Sequence, residues 1–313
     1  MHRAVDNCTQ YPRPRFCRAA RQAIGAREGV NPDFLYCGNG AADVLDRLAA
    51  VLKPRKVLLT APTFAEYERT LSGAEIRVHN LRKTDGFALT ERILDEISPD
   101  LDAVYLCNPN NPTGRTARPE LLREIVRKCT ENGVKLVVDE CFNDFLTDAE
   151  RHTRKDLLES NPGLIILRAY TKMYAVPGVR FGWCMTADAA LIEKLYHAGQ
   201  PWNVSVIAQA CAAAAANEPD WATETAKRIA EERKFLSDSL SVHGLKVFPG
   251  EANFLLFRSN DTGLHKKLAE HGIMIRNCDN YRGLSAGYYR VAVKTREASK
   301  CLLNAIKLII ENG

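Results

Sequence analysis

The 313-residue sequence has no long apolar run, no paired-cysteine motif and no block of like charge. No stretch approaches the roughly 20 apolar residues that a membrane span needs, and the N-terminus has no signal-peptide core. We therefore expect a cytoplasmic protein without a membrane partner. The ten cysteines show neither a CxxC pair nor metal-type spacing, which predicts reduced thiols and no metal site.

The charge of the chain is modest and dispersed. Its 43 basic and 38 acidic residues give a net charge of +5, and its hydrophobic content of 46% is ordinary for a globular protein. A basic tail is missing, so we expect no nucleic-acid partner, and the small positive excess favours anionic small molecules. The length suffices for one large domain and a smaller one.

Short apolar strands alternate with amphipathic helices from Phe34 onward, which predicts an α/β protein with an open, mostly parallel sheet. The segments 104–106 and 136–138 are continuously hydrophobic, which indicates strands that are buried on both faces. The strands predicted for this unit lie at 56–60, 75–80, 103–107, 135–139, 164–168 and 180–185.

A second, smaller unit begins where this alternation ends, near residue 212. A long polar helix at 220–242 precedes the remaining elements, which are predicted as strands at 246–248, 254–258, 274–276 and 288–293 and helices at 264–271 and 297–312. This pattern predicts an α+β C-terminal domain. We divide the chain into an N-terminal segment at 1–29, a large domain at 30–215 and a small domain at 216–313.

Polar residues follow three of the predicted strands. Lys172 comes shortly after the apolar run 164–167, Asp139 ends a second strand, and Asn111 follows a third. Ligands of an open α/β sheet lie beyond the carboxyl ends of its strands, so these side chains can converge on one crevice. Burial disfavours a charged amine and leaves it free to form a Schiff base, while a carboxylate can keep a pyridine nitrogen protonated. Together they indicate pyridoxal phosphate (PLP) chemistry.

Each candidate residue also has an ordinary structural explanation. Asp139 could cap a helix, and Asn111 could be a turn residue before a proline. Arg180 could bind a phosphate or form a structural salt bridge. Phe64 could stack on a cofactor ring or pack in the core. Gly40, just ahead of a predicted helix, could admit a phosphate to the helix N-terminus or form a plain tight turn.

Six motifs, in this order along the chain, resemble those of the fold-type I PLP-dependent enzymes: GNGAAD, APTFAEY, CNPNNPTG, VVDECF, YTK and PGVRFG. The chain is similar to the class I and II aminotransferase family, in the branch that contains histidinol-phosphate aminotransferase and L-threonine-O-3-phosphate decarboxylase. The resemblance runs from about Tyr11 to the C-terminus. It implies the PLP-dependent transferase fold of type I, with PLP as the cofactor and a smaller C-terminal domain.

This resemblance implies roles for individual residues. Lys172 matches the lysine that carries the cofactor, and Asp139 matches the partner of the pyridine nitrogen. Asn111 matches the partner of the phenolic oxygen, and Phe64 the aromatic residue that stacks on the ring. The matches to the cofactor's phosphate contacts are Gly40, Ala41 and Arg180, with Thr171 beside them.

Three further positions concern a second subunit and the substrate. Tyr11 matches a tyrosine that reaches the cofactor phosphate of the other subunit, which implies a homodimer. Arg290 matches the arginine that grips the substrate carboxylate, and Arg276 matches one that grips a substrate phosphate. The implied partner is therefore a small phosphorylated amino acid. Without the resemblance, either arginine could be an ordinary surface residue of a strand.

Several segments separate the two activities of this branch. Phe142 stands where the aminotransferase typically has a tyrosine, and the segments at 201–209 and 275–293 look more like the decarboxylase. The resemblance thus implies decarboxylation of a substrate of the L-threonine-O-3-phosphate type, as in synthesis of the cobalamin side chain. Transamination of the histidinol-phosphate type is the alternative, and a catalytically impaired protein of this fold is a second alternative.

The sequence departs from its relatives at two places. Ala169 stands where a serine commonly contacts the cofactor phosphate, so Thr171 or a water would have to supply that hydrogen bond. The chain starts ten residues before Tyr11, whereas relatives carry a longer N-terminal arm that helps to cover the substrate. If Met1 is the true start, we expect a more open site or an impaired enzyme.

Overall fold

The structure is a computed structural model that describes residues 2–12 and 17–311. Residue 312, at the predicted end of the last helix, and residues 13–16 of the predicted N-terminal segment lie outside this part. The strands are β1 Leu35–Gly38, β2 Lys56–Ala61, β3 Glu75–Asn80, β4 Ala103–Cys107, β5 Lys135–Asp139, β6 Leu164–Arg168, β7 Gly182–Met185, β8 Lys246–Val247, β9 Phe254–Arg258, β10 Arg276–Asn277 and β11 Tyr288–Ala292. The helices are α1 His2–Val5, α2 Arg18–Glu28, α3 Ala41–Leu52, α4 Glu66–Thr70, α5 Pro119–Glu131, α6 Ala149–His152, α7 Ala189–His197, α8 Val206–Ala216, α9 Pro219–Val242, α10 Leu264–Glu270 and α11 Arg296–Glu311.

Seven strands form one large sheet in the order β1-β7-β6-β5-β4-β2-β3. The pairs from β3 to β6 are parallel, and β7 runs antiparallel to both β6 and β1. Successive residues of each central strand alternate between two hydrophobic cores: Val104 and Leu106 lie in one, and Ala103 and Tyr105 in the other. This double burial explains the continuous hydrophobic runs, and it confirms the prediction of a mostly parallel α/β sheet.

The predicted bounds of β3, β4, β5 and β6 agree with the structure to the residue. The strand predicted at 180–185 is two residues shorter, because it begins at Gly182. Arg180 has a φ of 58°, in the left-handed region, and a residue in that conformation cannot extend a strand. Arg180 therefore lies in the turn that precedes β7.

Four strands form a smaller antiparallel sheet in the order β10-β11-β9-β8. The helices α9, α10 and α11 cover one face of it around a separate core. A small α+β unit is therefore present, whereas the domain boundaries at residues 29 and 215 stay predictions. The strand predicted at 274–276 lies instead at Arg276–Asn277, because Met274 is 91% exposed and makes no sheet pairing.

Buried ion pairs hold the strand ends next to the crevice. Arg168, the last residue of β6, donates to Glu140 at 2.8 Å from Nη2 and to Glu28 at 3.2 Å from Nη1. Burial acts to raise the pKa of Glu28, but the positive charges of Arg168 and Lys155 act in the opposite direction. The net result is a pKa below the usual value of a glutamate. Burial raises the pKa of Glu140. A buried charge that loses its partner is costly, so these contacts keep β5 and β6 in a fixed relation.

The described residues offer neither a metal centre nor a membrane span. No group of histidine, cysteine and acidic side chains among them could hold a metal ion. None of their helices combines the length and apolarity that crossing a bilayer requires. All ten cysteines fall within the described ranges and are free thiols, seven of them buried.

Candidate active site

The carboxylate of Asp139 is held in a fixed orientation at the end of β5. It accepts a hydrogen bond from Tyr67 Oη at 2.7 Å and one from the backbone N–H of Cys141 at 3.0 Å. Burial, reinforced by the charge of Asp139, raises the pKa of Tyr67 well above its ordinary value. The Tyr67 hydroxyl therefore stays protonated and donates a hydrogen bond to the carboxylate.

A cavity of about 180 Å³ opens beside Asp139. A cavity of about 150 Å³ can bind benzene, so this one has room for a single ring. Seven of the residues predicted for the site line it: Ala41, Phe64, Asn111, Asp139, Thr171, Lys172 and Arg180. Ala42, Leu45, Cys107, Cys141 and Phe142 complete the wall. The structure thus brings together the residues from six separate segments of the chain.

Gly40 and Arg180 meet at the N-terminus of α3, at one end of this cavity. Gly40 caps the helix with a φ of 86°, which side-chain-bearing residues rarely adopt. A Cβ atom on Gly40 would lie 2.4 Å from Arg180 Nη2, so the guanidinium rests directly against the backbone there. Arg180 Nη1 also donates to the carbonyl of Pro177 at 2.9 Å. A helix N-terminus beside a guanidinium suits a phosphate group.

Lys172 stands in the crevice four residues after the end of β6, and its side chain is exposed. Its Nζ lies 5.0 Å from the centre of the Phe142 ring. The prediction of a buried lysine at a strand end is wrong for this chain, because Lys172 is exposed. The reason is that β6 ends at Arg168 and the chain then turns, with the N–H of Ala175 donating to the Lys172 carbonyl. The amine is consequently accessible from the open side.

Two thiols share the cavity wall with Lys172. Burial, with the charge of Asp139 as the next contribution, raises the pKa of Cys107 to about 12. The same two causes raise the pKa of Cys141 well above its ordinary value. Because only a thiolate is a strong nucleophile, neither cysteine competes with the Lys172 amine for an aldehyde.

The two predicted substrate arginines lie opposite each other on the small sheet. Arg276 of β10 pairs with Arg290 of β11, and residues that pair directly across antiparallel strands project from the same face. Arg290 Nη1 donates to Asn111 Oδ1, which joins the small sheet to the wall of the cavity. Arg276 is exposed; its guanidinium donates to Asn280 at 3.0 Å and lies 5.7 Å from the Tyr281 ring centre.

Tyr11 is a predicted site residue that lies outside the cavity. It is 80% exposed and does not line the cavity of its own chain. Its ring packs against that of Trp202, with the ring centres 4.9 Å apart. A residue that serves a neighbouring subunit lies outside the cavity of its own chain, and this role of Tyr11 stays a prediction.

Sequence reasoning missed several residues that orient the site. Tyr67 holds Asp139, and Tyr281 Oη lies 3.4 Å from Asn111 Oδ1. Asp43, in the first turn of α3, accepts from the Asn39 N–H at 3.0 Å and from Asn203 Nδ2 at 2.6 Å. Tyr67 lies in α4, three residues after Phe64, which precedes that helix, and the two rings meet edge to face with their centres 5.6 Å apart.

The fold and the cavity together define a PLP-dependent enzyme of fold type I. A carboxylate at a strand end, a lysine across the cavity and an anion cradle at a helix N-terminus are the parts that PLP requires of a protein. The family model for aminotransferase class I and II matches residues 2–306, and the chain belongs to this PLP-dependent family.

The chain resembles both a decarboxylase and aminotransferases of this family. It is 36% identical over 294 residues to threonine-phosphate decarboxylase of Salmonella typhimurium, covering 92% of this chain and 80% of the relative. It is 30% identical over 312 residues to histidinol-phosphate aminotransferase 2 of Archaeoglobus fulgidus, covering 98% of this chain and 86% of the relative. The crystal structure of histidinol-phosphate aminotransferase from Clostridium acetobutylicum superposes with a TM-score of 0.92 at 27% identity, covering 99% of this chain and 93% of that one.

The contact between Gly40 and Arg180 predicts a defect in cofactor binding that is separable from backbone strain. Gly40→Ala would displace the guanidinium from the helix N-terminus, so we expect the dissociation constant for PLP to rise about tenfold, which corresponds to about 1.4 kcal/mol. Gly29→Ala is the matched control, because Gly29 has a similar φ of 67° but no atom within 4 Å of an added Cβ. Titration of each apoprotein with PLP, followed by absorbance, measures the constants. Equal constants for both variants would contradict the cradle.

Proposed function

We propose that this protein decarboxylates a phosphorylated amino acid of the L-threonine-O-3-phosphate type with the help of PLP. The observation that carries this proposal is the direct pairing of Arg276 with Arg290 on one face of the small sheet. Two arginines that project from one face suit a substrate with two anionic ends, a carboxylate and a phosphate. The 36% identity to a threonine-phosphate decarboxylase supports the same substrate class.

The residues of the cavity fit PLP in both shape and charge. We infer that Lys172 carries the cofactor, Asp139 holds a proton at its ring nitrogen, and Phe64 covers its ring. The carbonyl oxygen of Asn111 already has two donors, so its amide nitrogen is the atom left to donate to the phenolic oxygen. The phosphate would lie at the N-terminus of α3, with contacts from Gly40, Ala41, Thr171 and Arg180. When bound, PLP supplies a ring that accepts the electron pair of a bond broken at the amino acid's α-carbon.

The arginines determine which bond at the α-carbon breaks. Arg290 would hold the carboxylate and Arg276 the phosphate, so the two ends of the substrate fix its rotation about the α-carbon. An orientation that favours loss of the carboxylate would release carbon dioxide, and a proton would take its place at the α-carbon. The Lys172 amine, exposed beside the cavity, is placed to deliver that proton.

Transamination of the histidinol-phosphate type is the second candidate. The high structural similarity to a histidinol-phosphate aminotransferase favours it. Against it stands Phe142, which lies beside Lys172 and offers no hydroxyl where the aminotransferase typically has one. The two reactions leave different products from one bound amino acid, so they can be separated directly.

The decisive experiment incubates the PLP-loaded protein with L-threonine phosphate and no keto acid. We expect stoichiometric release of carbon dioxide and formation of the amino alcohol phosphate. Turnover only after addition of a keto acid, without carbon dioxide, would support the aminotransferase and overturn the decarboxylase. Failure of both L-threonine phosphate and histidinol phosphate to react would indicate that the protein is catalytically impaired.

Arg276 should recognise the phosphate end of the substrate. We expect Arg276→Ala to lower kcat/KM for L-threonine phosphate by about ten- to a hundredfold, as for loss of a charged hydrogen bond worth about 1.5–3 kcal/mol, with little effect on the slow reaction of threonine. Arg296→Ala is the control, because that guanidinium of the small domain is already bound to Glu232 at 2.8 and 2.9 Å and lies outside the site. Equal losses on both substrates would move phosphate recognition elsewhere.

We also propose that the active unit is a homodimer. The exposed Tyr11 and Trp202 rings pack on each other at the surface, and a partner subunit would cover this apolar pair. The neighbouring Asn203 donates to Asp43 at the start of α3, so this surface is connected to the phosphate cradle. Tyr11 would then contact the cofactor phosphate of the partner.

Mixing two defective variants tests whether Tyr11 acts across subunits. Lys172→Ala removes the cofactor lysine and Tyr11→Ala removes the trans contact. After unfolding and refolding of an equal mixture, about half of the dimers are mixed, and one of the two sites in each has both residues intact. We therefore expect about a quarter of wild-type activity. Activity no higher than the mean of the separately refolded variants would show that Tyr11 serves its own subunit or none.

A further inference from the structure

The amide of Asn111 is held from the small sheet by two donors rather than one. Its Oδ1 accepts from Arg290 Nη1 and from Tyr281 Oη, the latter at 3.4 Å. Asn111 and Tyr281 are both buried, at 6% and 7% exposure. Since Asn111 follows β4 of the large sheet and Tyr281 follows β10 of the small one, this contact joins the two sheets across the substrate side of the cavity.

The two donors to Asn111, Arg290 and Tyr281, differ in whether a bound substrate competes for them. Arg290 is the proposed partner of the substrate carboxylate, and a carboxylate is a stronger acceptor than the neutral amide oxygen of Asn111. The substrate therefore competes for the guanidinium protons. Tyr281 has no such second partner among the contacts of the described chain, so its hydroxyl can stay on Asn111.

The orientation of this amide matters for the cofactor. While Oδ1 is occupied by donors, the Nδ2 group can donate to the phenolic oxygen of PLP. A rotation of the amide by half a turn would instead place a carbonyl oxygen against that oxygen, which carries negative charge. Phe142, on the Lys172 side of the cavity, has no hydroxyl with which to compensate.

We propose that Tyr281 is a positioning residue that keeps the Asn111 amide directed at the cofactor while the substrate occupies Arg290. This inference rests on the proposed function, because it requires a carboxylate on Arg290. In this chain a tyrosine hydroxyl near the cofactor comes from Tyr281, which follows β10 of the small sheet, because Phe142 has no hydroxyl. Substrate binding and the electronic state of the cofactor are thereby linked through one side chain.

Contacts on both sides of Tyr281 hold its loop in place. The Tyr281 N–H donates to the carbonyl of the buried Cys278 at 3.2 Å. Arg282 forms a two-point ion pair with Glu68 of α4. Gly283, with a φ of 84°, brings its backbone against Pro62, since a Cβ there would lie 3.3 Å from the Pro62 nitrogen. The hydroxyl is thus fixed from both sides.

Tyr281→Phe tests the inference, because it removes the hydroxyl but keeps the ring beneath Arg276. The readout is the apparent pKa of the visible absorption of the PLP-loaded protein, measured with and without saturating phosphonopropionate. This probe carries a carboxylate and a phosphonate but no amine, so it can occupy both arginines without reacting. Cys107 and Cys141 keep their protons across the measured range, because burial raises the pKa of both thiols.

A hydrogen bond from the Asn111 N–H draws negative charge from the phenolic oxygen. The oxygen then attracts the proton on the nitrogen of the cofactor-bound Lys172 less strongly, and that nitrogen loses its proton at a lower pH. Loss of that donor therefore raises the apparent pKa. We expect Tyr281→Phe to match wild type without the probe, where Arg290 still holds Asn111, and to exceed it by about 0.5 with the probe. Tyr289→Phe is the matched control, because that hydroxyl bonds only Asp261 among the described residues and should leave both values unchanged.

An equal rise of the apparent pKa in Tyr281→Phe with and without the probe would mean that Tyr281 has a merely structural effect. No rise under either condition would mean that Tyr281 does not orient Asn111. Both results overturn the inference. Failure of wild type to bind phosphonopropionate would overturn the role of Arg290 on which it depends. A wild-type protein that gains no visible absorption with PLP would instead overturn the proposed function, and this inference with it.

Discussion

The site depends on one buried carboxylate whose orientation the fold determines. Asp139 ends β5, between strands whose residues are buried on both faces, and it receives hydrogen bonds from Tyr67 and from the N–H of Cys141. Its remaining partner must come from the cavity. A carboxylate in that position stabilises a protonated ring nitrogen, which is the condition under which PLP accepts electrons. The roles proposed for Lys172, for Gly40 and Arg180 at the phosphate, and for Arg276 and Arg290 at the substrate all depend on that point.

In the proposed function, the small sheet supplies the residues that hold the substrate and also orients a residue that contacts the cofactor. Pairing of β10 with β11 sets Arg276 beside Arg290, and Arg290 and Tyr281 both reach Asn111. If these proposed roles hold, the relation between the two sheets affects both substrate binding and the orientation of a cofactor contact. This arrangement gives a physical reason why a change of substrate could alter the reaction without a change in the cavity wall.

The strands at the centre of the fold are predictable from sequence because continuous hydrophobic runs end at polar residues. Six of the seven predicted site residues in the cavity lie at or after the carboxyl end of a strand, whereas Arg180 lies just before β7, which runs in the opposite direction. The hydrogen bonds that orient them are not predictable in this way. Tyr67 lies 72 residues from Asp139, and Tyr281 lies 170 residues from Asn111, so only packing brings them together. The exposure of Lys172 was unpredicted because it depends on the turn after β6.

The most direct test of the account is the protonation state of the ring nitrogen of bound PLP, observed by nitrogen NMR with isotope-labelled cofactor. The account predicts a protonated ring nitrogen at neutral pH in the wild-type protein and loss of that proton in Asp139→Asn, which keeps the shape of the side chain but not its charge. An unprotonated nitrogen in the wild-type protein, or a nitrogen that stays protonated in Asp139→Asn, would contradict it.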